Sequence, residues 1–180
     1  ELDSAAFSNS GRYVATGDEL GTLRVFRVAD GERVLSYDAE RSRLVAVSWS
    51  PGDRLIATAS RNESAVRLRD AATGQTVSVL GTEEEELHHL LWSADARVLV
   101  AADLFHEIRA WDLATCRSTR IEDWPPCHVF EDGSCGGLAL FGLALSPAGD
   151  RVFGVFDDDG VVVWDAASGQ RLAWWKLPAK

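Results

Sequence analysis

Apolar residues along this chain fall into short runs separated by clusters of Ser, Asn, Asp, Pro and Gly, and no run has the length or period of a helix. The last quarter shows the pattern most plainly. Leu143–Ala144–Leu145, Arg151–Val152–Phe153–Gly154–Val155, Val161–Val162–Val163–Trp164 and Arg171–Leu172–Ala173–Trp174–Trp175 follow one another with a turn signal in each gap. Each run predicts a β-strand. Asp30–Gly31 stands between Leu23–Arg24–Val25–Phe26 and Arg33–Val34–Leu35–Ser36–Tyr37. It predicts a hairpin, because Gly accepts positive φ and Asp accepts the left-handed region.

The same order of runs occurs four times. Phe7, Trp49, Trp92 and Leu145 each precede a Ser, at steps of 42, 43 and 53 residues. From each of them to Phe26, Arg69, Trp111 and Trp164 the distances are 19, 20, 19 and 19. Two landmarks held in register four times define a repeat of four strands. A period of about 40–45 residues is that of a propeller blade. The reading is therefore all-β, with four-stranded antiparallel blades at approximately 4–37, 44–80, 87–121 and 138–177 and an insertion at 122–137. Each blade is apolar on both faces and must stack on a neighbour to bury them.

The landmarks resemble those of WD-repeat β-propellers. They are Trp111–Asp112, Trp164–Asp165, the Ser-led turn after each first strand, and Asp158–Asp159–Gly160 before a third strand. Two departures stand out. Trp-Asp becomes Phe26–Arg27 in the first repeat and Arg69–Asp70 in the second, and the places of the family's Gly-His hold Ala39–Glu40 and Thr82–Glu83. The buried Asp–His–Ser/Thr–Trp network of the family is thus expected to be absent or rebuilt, a degeneracy associated with large bacterial repeat proteins. The resemblance also implies a ring of more than four blades, so the chain is expected to be part of a larger propeller. Two copies completing a ring, or a closed four-blade ring, are the alternatives. With no Met among 180 residues, Glu1 is expected not to be the natural start.

Composition narrows the function classes. A net charge of −10 opposes binding to a phosphate backbone, so no nucleic acid is expected. No apolar run approaches the roughly 18 residues that cross a bilayer, and no membrane partner is expected. Cys116, Cys127 and Cys135 are odd in number and unevenly spaced, which points to a reducing, cytoplasmic setting rather than a disulfide framework.

Candidate chemistry is sparse. Cys127–His128 with Cys135 lacks a fourth zinc ligand and the usual spacing. His88 and His89 point to opposite faces of a strand and cannot readily share a metal. Asp157–Asp158–Asp159–Gly160 fails the spacing of a calcium loop and reads as a turn. No catalytic residue, metal or cofactor is assigned. Rigid display of loops to a protein or peptide is the main expectation, with further blades or self-association as other contacts. The contact candidates lie on the connections of one ring face: Arg41 and Arg43, Glu85 within the Glu83–Glu86 run, Phe105 and His106, and Trp124 in the insertion. The alternatives are an enzyme or small-ligand binder using the central channel, and a structural sensor segment of a multidomain regulator.

Overall fold

A computed structural model describes residues 1–38, 42–81, 87–103, 108–121, 128–129, 135–136, 140–156 and 160–176. Arg41, Glu85, Phe105, His106 and Trp124 lie outside the described residues, as do Cys127 and the side chains of His128 and Cys135.

Sixteen strands form four antiparallel sheets of four. The first sheet has β1 (Leu2–Phe7), β2 (Tyr13–Asp18), β3 (Thr22–Arg27) and β4 (Arg33–Asp38). The second has β5 (Leu44–Trp49), β6 (Leu55–Ser60), β7 (Ala65–Asp70) and β8 (Thr76–Gly81). The third has β9 (His89–Trp92), β10 (Val98–Ala102), β11 (Ile108–Asp112) and β12 (Arg117–Ile121). A two-stranded pair, β13 (His128–Val129) and β14 (Cys135–Gly136), lies within the insertion. The fourth sheet has β15 (Leu140–Leu145), β16 (Arg151–Phe156), β17 (Gly160–Asp165) and β18 (Arg171–Lys176). Within each sheet the strands neighbour one another in chain order, the meander of a propeller blade.

The Ser that ends each first strand explains why the repeat keeps its register. Ser8, Ser50, Ser93 and Ser146 accept through Oγ from the N–H five residues on, at 3.1, 3.0, 2.9 and 3.0 Å. Each also receives at its C=O the N–H three residues on, at 2.9 Å. The donors, Gly11, Asp53, Ala96 and Gly149, all have positive φ. A side-chain acceptor and a left-handed residue thus close the same turn four times.

Strands β1, β5, β9 and β15 adjoin in succession and form the inner side of the stack. Three apolar clusters separate the four sheets. Leu23, Val25, Leu44, Trp49 and Ile56 fill the first gap, Leu68, Leu90, Leu99 and Trp111 the second, and Ile108, Val152, Phe156, Val162 and Trp164 the third. The two end faces are uncovered: Phe7 is 67% exposed on the first sheet, and Val155 and Trp175 are 42% and 52% exposed on the last. Among the described residues the blades make an open arc, in place of a closed four-blade ring.

Candidate functional site

With the four strands of each blade lettered a to d in chain order, the b–c turns and the starts of the inner strands gather at one edge of the arc, here the upper rim. The a–b and c–d turns gather at the opposite, lower rim. Concavities lie at both edges, on the upper rim and in the clefts between blades on the lower.

The upper-rim pocket, about 250 Å³, is lined by Asp3, Arg43, Val45, Arg61 and His88. Three successive blades contribute to it. Asp3 belongs to β1, Arg43 immediately precedes β5, Arg61 follows β6 in the b–c turn, and His88 immediately precedes β9. Arg43 is the one sequence candidate that falls on described residues, and its guanidinium is paired with the Asp3 carboxylate. The Asp3 side chain is 7% exposed and that of Arg43 44%. A buried carboxylate therefore orients a cation that still reaches solvent, and holds it charged above its ordinary range. Arg61 accepts at its backbone C=O the Ser42 hydroxyl, and its N–H donates to Arg43 C=O at 2.8 Å, so the turn is tied to the β5 entrance.

Apart from Arg43, none of the lining residues was singled out for this site from sequence, Arg61 and His88 among them. His88 is exposed and lines the pocket, while His89 is half-buried. Burial, and then the neighbouring His88, push the His89 imidazole below its ordinary range. The signal for His88 was the strand alternation itself. Arg61 carried none, because its place depends on how far the b–c turn leans over the next inner strand.

Carboxylates with displaced titration lie on both rims: Asp18, at the upper-rim end of β2, is lowered where Arg24 and the Thr22 and Leu20 N–H groups bind it, and others close the lower-rim turns. Asp70 Oδ1 accepts the N–H of Thr73 and Ala72 at 2.9 and 3.1 Å. Asp112 accepts those of Thr115 and Ala114 at 3.0 and 2.9 Å. Asp165 takes the Ser168 hydroxyl and N–H, both at 2.8 Å. These bonds hold all three below the usual carboxylate range. The Asp of each Trp-Asp thus closes the c–d turn. Where Arg27 replaces it, the turn is bridged instead by ion pairs from Arg27 to Asp30 and Glu32, at 2.8 and 2.6 Å.

Comparison with known proteins agrees with this layout. The profile of the family described as Anaphase-promoting complex subunit 4 WD40 domain matches residues 5–95, just over half of the chain. The chain belongs to the WD40 repeat family. It is 23% identical over 168 residues to anaphase-promoting complex subunit cdc20 of Dictyostelium discoideum, covering 93% of this chain and 32% of that protein. It is 24% identical over 172 residues to Periodic tryptophan protein 2 of Arabidopsis thaliana, covering 94% of this chain and 18% of that protein. The chain therefore spans about a third or less of the length of these curated relatives. A chain in the crystal structure of a mitotic checkpoint complex superposes with a TM-score of 0.79 at 17% identity, over 97% of this chain and 51% of that one. At that identity the likeness is one of fold.

Within the WD40 repeats, the second blade shows how a missing Trp is replaced. Arg69 is 1% exposed. Its Nε donates to Thr58 Oγ1 at 3.2 Å, and its Nη1 donates to Gly74 C=O and Thr76 Oγ1 at 3.2 and 3.0 Å. A polar network thus joins β6, β7 and β8 at the place of the motif's Trp, while the Gly-His places 39–40 and 82–83 lie outside the described residues. In the fourth blade Trp164 keeps its place and packs edge-on against Phe156, with ring centroids 6.1 Å apart.

Proposed function

We propose that this chain is a non-catalytic scaffold for protein–protein interaction, presenting a fixed upper rim to a protein or peptide partner. One observation carries the reading: Arg43, oriented by buried Asp3, sits with Arg61 and His88 in a pocket assembled from three blades. A rigid arc holds such a cluster in place without ordering cost at binding. Two guanidinium groups in one concavity suit a carboxylate on the partner, which arginine recognises through paired N–H donors.

Membership of the WD40 repeat family supports the scaffold reading. So does the printed name of one relative, a subunit of the anaphase-promoting complex. Among the described residues every displaced carboxylate is lowered, as turn closure and ion pairing require. Unevenly spaced cysteines favour a cytoplasmic setting, and the degenerate Trp-Asp positions favour a large repeat protein of bacterial type.

The test is to select peptides from a random display library against the chain and measure them on Arg43→Ala and Arg61→Ala. Acidic peptides that lose affinity on both variants support the reading. Binders indifferent to both, or confined to the exposed end faces, overturn the assignment of this rim.

A further inference from the structure

The cleft between the third and fourth blades on the lower rim has a volume of about 830 Å³. The equivalent cleft between the first and second blades has about 260 Å³. The pairing registers identify the cause position by position. Tyr13, Val25 and Leu35 line the small cleft from the first blade, and Trp49 lines it from the second. Tyr13 and Trp49 stack there at 6.3 Å. The positions aligned with them around the larger cleft are Val98, Ala110, Thr119 and Leu145. All four replacements are smaller, and two aromatic rings are lost. The walls nevertheless stay fixed. Thr119 Oγ1 donates to Ala167 C=O at 2.8 Å, and Ala94 N–H donates to Pro147 C=O at 2.9 Å across the two blades. Gly149 lies so close to the third blade that a Cβ there would stand 2.8 Å from Ser93 Cβ. The cleft is open because its side chains are small, not because its blades have parted.

Its lining sets the chemistry. Val98, Ala110 and Trp111 supply its apolar lining, together with Asp112, Asp150, Asp165 and Arg117. Asp112 and Asp165 accept the turn N–H groups through Oδ1 alone, which keeps them ionised and fixed. We propose that this cleft is a second binding site, and that it receives a lysine or arginine side chain of a partner peptide. The alkyl stem of such a side chain lies on the apolar lining while its cation meets the carboxylates. Three carboxylates against Arg117 and Arg151, which meets Asp150 at 3.6 Å, still leave a negative excess that favours a cation locally, and the chain's charge of −10 draws basic peptides from a distance. The volume is in the range of side-chain and small-ligand pockets. The inference goes beyond the upper rim, which takes the opposite charge, while sharing the view of the chain as a scaffold.

The test is an NMR titration of the 15N-labelled 180-residue chain with acetyl-Ala-Leu-Arg-Leu-Ala-amide and with its Glu counterpart. The Arg peptide is expected to shift Thr119, Asp150 and Ala167 amides saturably, and the Glu peptide to leave them unmoved. Ala110→Val with Thr119→Leu installs the side chains that fill the smaller cleft, and should weaken the Arg peptide by about tenfold or more. Asp150→Asn keeps an acceptor for Ser146 and should weaken it by about threefold. Equal binding of the Glu peptide in this cleft, or Arg-peptide affinity unchanged in both variants, overturns the proposal. Arg-peptide shifts confined to the upper rim also overturn it while leaving the scaffold reading intact.

Discussion

The guanidinium of Arg69 lies over the ring of Tyr37, 5.4 Å from its centroid, and so joins the second blade to the outer strand of the first. Arg69 stands at the place of a Trp-Asp tryptophan, and it holds the place by polar bonds within its own blade and a cation–π contact to the next. Arg69→Ala removes those bonds and opens a void where a large side chain was buried, at a cost of about 2–4 kcal/mol. Tyr37→Leu keeps the apolar contact and loses the ring face, at about 1 kcal/mol. Urea unfolding of both single variants and the double should give a coupling of about 0.5–1 kcal/mol. Strict additivity would remove the ring contact from the stability of this interface.

Two turn positions of the third repeat hold a residue with a Cβ in the left-handed region. Ala96 has φ 59° in the third a–b turn, and Cys116 has φ 56° in the third c–d turn, where the other blades have Gly31, Gly74 and Gly169. A left-handed residue with a Cβ costs about 1–2 kcal/mol. Gly regains that but loses about 0.4–1 kcal/mol through the freer unfolded chain. Ala96→Gly and Cys116→Gly should therefore each stabilise by about 0.5–1 kcal/mol, measured by chemical denaturation. Destabilisation by either would contradict the turn geometry.

Gly154 is a steric requirement. A Cβ there would lie 2.8 Å from the Trp164 ring, which is fully buried between the third and fourth blades. Gly154→Ala is expected to destabilise by about 1–3 kcal/mol through displacement of that ring. Near-ultraviolet circular dichroism should show the indole signal changing in parallel.

The turn carboxylates predict an acid limb. Asp70, Asp112 and Asp165 titrate lower when folded than the ordinary Asp value of about 3.9. Their contribution is complete above that value and is lost as pH falls through the folded values. Thermal melts between about pH 5 and about pH 2.5 should show a falling Tm that flattens in the triple Asp→Asn variant. An unchanged slope would mean that these turns do not sense protonation.

The blades were legible in the sequence because two local signals recur in register: the Ser that closes each a–b turn and the residue that ends each third strand. Those signals act within a blade, through bonds five residues apart or fewer. What acts between blades was not legible. Arg69 reads as a defect of the Trp-Asp motif until Tyr37 is seen beside it. The wide lower cleft reads as ordinary strand residues until Val98, Ala110 and Thr119 are set against Tyr13, Val25 and Leu35. Of the contact candidates, Arg43 pairs with Asp3, and the remainder lie outside the described residues.

The measurement that most directly tests the scaffold role is hydrogen–deuterium exchange of the chain with and without a peptide selected against it. Rigid display predicts protection confined to rim residues, such as those around Arg43 and Arg61 or around Thr119 and Ala167. The strands between them should exchange as before. Protection spread through the blade strands, or centred on the faces of Phe7 and Trp175, would contradict it.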